Sequence, residues 1–157
     1  MSDTPSAVGL EVPDFSVPAT GGTTFRLAAN RGKPLVIYFY PTDNTPGCTT
    51  EAGQFRDLHA DFAKLGCAVF GVSRDSLKSH EGFKAKLGLP FELLADTDET
   101  ACRLFGVIKT KTLYGKQVQG VERSTFLIDA DGILRREWRA LKADGHAAEV
   151  LKAVTEL

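Results

Sequence analysis

The segment LVIYFY, Leu35 to Tyr40, constrains this chain most, because a short apolar and aromatic run without a charge reads as a buried strand and leads straight into a helix start. Pro41 ends the strand by withholding a backbone donor. Asp43 and Asn44 are turn residues, Thr45 is a helix N-cap and Pro46 takes the first helical position, so Cys48 falls on the third residue of the helix. Phe55, Leu58, Phe62 and Leu65 then recur at helical spacing, with Arg56, Asp57, Asp61 and Lys64 on other faces. Cys48, seven residues before Phe55, is expected to point to the same buried side, at the rim where the stripe meets the loop.

The remaining pattern builds a layered α/β fold. A hairpin is expected through Phe15 to Val17 and Thr24 to Leu27 around Gly21 and Gly22. After the Cys48 helix come a strand over Ala68 to Val72, a helix over Leu77 to Leu87, a strand over Phe91 to Leu94 and a short helix over Thr100 to Phe105. Strands Phe126 to Asp129 and Ile133 to Trp138 flank the turn pair Asp131 and Gly132, before a terminal helix over His146 to Val154. The β-α-β-α portion calls for right-handed crossovers and a partly parallel sheet. With the hairpin and last helix, this is the order of a thioredoxin fold: a central mixed sheet flanked by helices, with an N-terminal β-hairpin extension. No repeat or linker divides the 157 residues, so one domain is expected.

A cysteine in the first turn of a helix lies near unpaired amides and the positive end of the helix dipole, both of which favour thiolate over thiol. A free thiol is about 3% ionised at pH 7, and reaching about 90% takes ~3.4 kcal/mol. The dipole supplies about 1 kcal/mol, or ~2 when partly buried. A nucleophile here therefore requires a further donor or cation. Position alone fits a small core cysteine better than a nucleophile.

The surrounding residues change that balance. Pro41, Thr45 and Cys48 match the Pro-x-x-x-Thr-x-x-Cys signature of the peroxiredoxins, and YFYPTDNTPGCTTE resembles their type Q branch, the bacterioferritin comigratory proteins. GVSRDS at Gly71 to Ser76, LPFELLAD at Leu89 to Asp96, YGK at Tyr114 to Lys116 and ERSTFLID at Glu122 to Asp129 extend the resemblance over essentially the whole chain. It implies a thiol-dependent peroxidase, acting on hydrogen peroxide and small organic hydroperoxides, with Cys48 as the peroxidatic cysteine that becomes a sulfenic acid. It gives Thr45 a hydroxyl contact to peroxide and sulfur, Pro41 a shielding role and Arg123 the missing cation. On position alone Arg123 reads as a solvated edge residue. Alternation, however, puts Val121, Arg123, Thr125 and Leu127 on one strand face. Glu51 is either a first-turn acid favoured by the dipole or a partner holding that arginine.

The chain departs from the type Q pattern in its second thiol. The branch commonly carries a resolving cysteine five residues after the peroxidatic one, or in the next helix, but here those places hold Gly53 and the cysteine-free SHEGFKAKL, Ser79 to Leu87. Cys67 and Cys102 remain as candidate resolving cysteines, and both read more naturally as core. An external thiol, thioredoxin, glutaredoxin or glutathione, is therefore the expected reductant, with the protein a monomer or weak homodimer.

Other chemistries fit less well. Glu51 stands where a Cys-x-x-Cys disulfide reductase would have its second cysteine. A cysteine hydrolase needs a histidine base, but His59 is eleven helical residues from Cys48, about 16 Å, and His80 and His146 read as solvated helix residues. No metal-ligand spacing or phosphate-binding glycine loop stands out, so neither metal nor cofactor is expected. A net charge of −1 recommends neither nucleic acid nor an anionic membrane as partner, and no apolar run is long enough to span a bilayer. MSDTPSAVGLEVPDF lacks the basic and hydrophobic regions of a secretory signal, and three cysteines form no even-numbered framework, so a cytoplasmic location is expected. The alternative is a redox-sensing or binding module of the same fold that forms a mixed disulfide with a client protein.

Overall fold

A computed structural model describes residues 7–157. The reading of the N-terminus as no secretory leader falls in part on residues 1–6, outside that range. Strand β3, Leu35–Phe39, is buried along its full length and sits inside a seven-stranded mixed sheet. The elements are β1 (Ser16–Ala19), β2 (Thr23–Arg26), a 3-10 turn (Leu27–Asn30), β3, α1 (Pro46–Lys64), β4 (Ala68–Ser73), α2 (Leu77–Leu87), β5 (Leu93–Ala95) and α3 (Thr100–Leu104). Then follow β6 (Ile108–Leu113), β7 (Lys116–Val121), β8 (Ser124–Ile128), β9 (Leu134–Trp138) and α4 (His146–Thr155). The sheet order is β2-β1-β5-β4-β3-β8-β9. β3, β4 and β5 run parallel, as strands joined by helical crossovers must, and β8 returns antiparallel on the other edge of β3. This is the thioredoxin fold, with the N-terminal hairpin joined to the sheet at Ala19 and Leu94.

Alternation along β3 divides the interior into two cores. Val36, Tyr38 and Tyr40 face one that takes Phe55 and Phe62 of α1, Phe83 of α2 and Val150 and Val154 of α4; Leu35, Ile37 and Phe39 face the other, with Ala101 of α3, Phe105 and the N-terminal residues Val12 and Phe15. On the first face the rings of Tyr38 and Phe55 stack at 4.5 Å between centroids. Only glycine fits at position 71 of β4, since a Cβ there would stand 2.7 Å from Tyr38 Cζ.

Three expectations are corrected, and one hairpin lies outside them. The last strand of the β-α-β-α portion begins at Leu93, with Phe91 buried outside it. Leu65 is not part of the buried stripe; it is the residue that ends α1 and is exposed. Val121 lies in the opposite core from Leu127, because the strand pattern breaks at Glu122 and Arg123 between β7 and β8 and the alternation does not carry across. The β6–β7 hairpin was not anticipated: most of its residues are exposed, so it offers no apolar face to read.

Candidate functional site

The loop from Pro41 to Thr45 sits at the end of β3 beneath the start of α1. Asn44 takes the left-handed conformation at φ 66°, which asparagine tolerates, and Pro46 opens the helix. Thr45 occupies the N-cap position without capping through its side chain; its hydroxyl instead donates to the Thr42 carbonyl at 3.1 Å. Cys48 is third in the helix as expected, and its side faces the core of Phe55 and Tyr40, leaving the residue only 1% exposed.

The cation that the dipole alone could not replace stands beside the sulfur. Arg123 Nη2 donates to Cys48 Sγ at 3.4 Å while Nη1 donates to Glu51 Oε1 at 2.6 Å, so one guanidinium bridges the two α1 side chains. Of the two readings of Glu51, the structure shows the arginine partner. Gly47 makes room for this arrangement, because a Cβ at that position would lie 3.0 Å from Arg123 Nη2. Burial alone would lower the Arg123 pKa, but the Glu51 carboxylate and the Cys48 sulfur raise it above its ordinary value. Pro41, at the outer edge of the group, is exposed.

Glu51 itself is fully buried, and its second oxygen, Oε2, has no hydrogen-bond partner. Burial pushes its pKa from the ordinary 4.5 to about 7, against the attraction of Arg123. The folded chain therefore holds a proton on Glu51 that the unfolded chain has already released between pH 4.5 and 7. The resulting stabilisation is complete below the lower value and is lost as pH rises through the upper one, about 3 kcal/mol in all. In chemical denaturation across this range, the stability of the native chain relative to Glu51→Gln should fall by about that amount as pH rises; a flat difference would contradict the assignment.

The other two cysteines lie elsewhere. Cys102 is fully buried in the core on the opposite face of the sheet from Cys48, where burial and the Asp96 carboxylate raise its pKa well above the usual thiol range. Cys67 shares the Cys48 core but precedes β4, beyond the far end of α1; the helix rise from Cys48 to Lys64 alone is roughly 24 Å. Burial pushes its pKa to about 12.

His80 and His146 are buried, not solvated. His146 Nε2 meets Thr125 Oγ1 at 2.8 Å, and burial lowers its pKa. His80 meets Asp43 Oδ2 and the Leu94 carbonyl. Asp43, Asp75 and His80 bring potential ligand atoms within 4.8 Å of one another, and sequence reasoning missed this group because its members lie on different elements, up to 37 residues apart. Each of those atoms is already engaged in a hydrogen bond within the protein. A cleft of about 530 Å³ lined by Asn44, Ser79, Phe83 and Lys86, among others, opens beside the loop. No helix among the described residues is long and apolar enough to cross a membrane.

The arrangement can therefore hold a sulfur nucleophile against a cation at the end of a nearly closed approach, with a hydroxyl one helical turn away. The family model described as the AhpC/TSA family matches residues 8–137. Peroxiredoxin Bcp of Xanthomonas campestris is 52% identical over 149 residues, 92% of this chain and 93% of that protein. Peroxiredoxin Bcp of Bacillus subtilis is 46% identical over 150 residues, 96% of each. Among solved structures, the bacterioferritin comigratory protein of Xanthomonas campestris, described there with an alkyl peroxide reduction activity, is similar at a TM-score of 0.91 and 49% identity over 96% of this chain and 98% of that one. A cysteine-to-serine variant of Xylella fastidiosa PrxQ is similar at 0.92 and 41% identity over 98% of each chain.

Proposed function

Because this chain belongs to the AhpC/TSA family, as a Q-type peroxiredoxin and thiol-dependent peroxidase, we propose that Cys48 is its peroxidatic cysteine and that an external thiol resolves it. The observation that carries the reading is the Arg123 guanidinium, which donates to Cys48 Sγ at 3.4 Å while anchored on buried Glu51. A lone pair of the Cys48 sulfur attacks one peroxide oxygen in line with the O–O bond. That bond breaks, the sulfur takes the attacked oxygen with its hydrogen as a sulfenic acid, and the other oxygen leaves as water or an alcohol, its added proton balancing the one given up by the Cys48 thiol. Arg123 stabilises the negative charge that develops on that oxygen, and the Thr45 hydroxyl orients the peroxide. Pro41 covers the outer edge. With Cys48 only 1% exposed, the approach suits hydrogen peroxide and small organic hydroperoxides.

Resolution follows from where the other thiols lie. Two cysteines with Cα atoms more than about 7 Å apart cannot pair without backbone motion, and Cys102 is across the sheet while Cys67 is beyond the far end of α1. Glutathione, glutaredoxin or thioredoxin instead attacks the sulfenic sulfur, forming a mixed disulfide and releasing water; a second thiol then restores Cys48. The protein acts as one domain, a monomer or weak homodimer, in the cytoplasm, a compartment that suits three free cysteines. The test is steady-state turnover of the double variant Cys67→Ala, Cys102→Ala with glutathione, glutaredoxin and thioredoxin supplied separately. Peroxide consumption within about threefold of the native rate with at least one donor is expected; loss with every donor while the protein stays folded would sink the one-cysteine reading.

A further inference from the structure

Below the loop that leads into α1 lies a buried polar network that the reaction as described does not use. His80, on α2, is fully buried, with Nδ1 2.7 Å from Asp43 Oδ2 and Nε2 2.9 Å from the Leu94 carbonyl of β5. The carbonyl can only accept. Asp43 is likewise placed as an acceptor, taking the Tyr40 hydroxyl at 2.6 Å and the Ser79 hydroxyl at 2.7 Å. The Ser73 hydroxyl, 3.5 Å from Nε2, directs its proton to Asp75 at 2.6 Å and has none left for the ring. A neutral imidazole would set a bare nitrogen lone pair against an acceptor on one side, whereas a ring protonated at both nitrogens satisfies both contacts, with Asp43 as its counter-charge.

The same network fixes the turn that carries the active-site hydroxyl. Asp75 accepts from the Asp43 backbone N–H at 2.8 Å and from the Thr42 hydroxyl at 3.0 Å, and the Thr42 carbonyl in turn takes the Thr45 hydroxyl proton at 3.1 Å. The turn is thus held from α2 and β5 through His80 and from the end of β4 through Asp75. We propose that His80 is a positioning residue for peroxide reduction: a doubly protonated ring that clamps the Thr42–Asp43 turn and so aims the Thr45 hydroxyl. The inference rests on the reading of Thr45 and Cys48 as the reacting centre.

Two measurements on the full chain test it. Nitrogen-15 spectra of the histidine rings near neutral pH, assigned with His80→Gln, should show a proton on both ring nitrogens of His80; a single protonated nitrogen overturns the clamp. In stopped flow, His80→Leu should slow oxidation of Cys48 by peroxide about tenfold or more, because a misplaced hydroxyl no longer orients the substrate. Alkylation of Cys48 by iodoacetamide should change by less than about twofold, since the Arg123 contact is untouched, and His80→Asn, which keeps a donor toward Asp43, should recover peroxide reactivity to within about threefold of the native rate. Equal losses in both reactions, or none in either, would overturn the positioning role. If His80→Leu does not fold, ring protonation and the asparagine variant decide. A native protein that peroxide does not oxidise at Cys48 defeats the preceding reading and the positioning role with it, even where both ring nitrogens carry protons.

Discussion

Cys48→Ser is expected to abolish peroxide consumption, a fall of at least about a thousandfold, with the fold intact. Serine nearly matches cysteine in size and can occupy the same pocket, so the loss would lie in the chemistry rather than in packing. No other sulfur can substitute. Burial pushes the Cys67 pKa to about 12 and takes that of Cys102 higher still, which leaves the better of the two ionised at only about one part in a hundred thousand at pH 7. Cys67→Ser and Cys102→Ser should keep the native rate to within a few-fold, provided they fold, since each introduces a hydroxyl into an apolar core. Peroxide consumption measured on the three single variants checks this. Activity surviving in Cys48→Ser but lost in either of the others would reverse the assignment.

The second large effect is expected from Arg123→Ala, which should slow the reaction of Cys48 with peroxide by about 100-fold to 1,000-fold. Two consequences have to be separated. Removing the guanidinium takes away the charge beside the sulfur, but it also strips Glu51, already lacking a partner at Oε2, of the cation that holds Oε1. A fully buried carboxyl left in that state costs about 3 kcal/mol, partly relieved by protonation near neutral pH. The double variant Arg123→Ala, Glu51→Gln should therefore recover much of the stability lost in urea denaturation and none of the rate lost in stopped flow. Recovery of both would make Arg123 a structural residue. Arg123→Lys keeps a charge but cannot place one donor on Glu51 and another on Cys48 in the geometry of a planar fork, and should fall between the two.

How much of this was legible in the sequence depends on how local the signal is. The strand at Leu35, the turn, Thr45 and Pro46 dictate where α1 begins from adjacent residues, and Cys48 falls on its third position with no tertiary information. The link between Arg123 and Cys48 is another matter. Seventy-five residues separate them, and alternation carried across the strand break at Arg123 pointed to the wrong company, since Val121 belongs to the opposite core from Leu127. Only the resemblance to the peroxiredoxins suggested the pairing. The β6–β7 hairpin escaped because exposed lysines, threonines and glutamines give no buried face, although Tyr114 and Gly115, following the alternating threonines of Ile108 to Leu113, were a usable turn signal. His80 and His146 looked wet because helix position alone does not tell which face a neighbouring element covers. Burial of a polar ring depends on partners such as Asp43 and Thr125, which come from distant parts of the chain.

The central claim, that one cysteine carries the oxidation and waits for an external thiol, is tested most directly by mass. The dilute, reduced protein is treated with one equivalent of peroxide, with and without dimedone, and then mapped as peptides without reduction. The account predicts one added oxygen on the intact chain, converted by dimedone into a single adduct on the peptide containing Cys48, with no internal disulfide. With excess peroxide, the unresolved sulfenic acid should go on to the sulfinic form. A rapidly formed disulfide from Cys48 to Cys67 or Cys102, or an adduct on a peptide lacking Cys48, would contradict it.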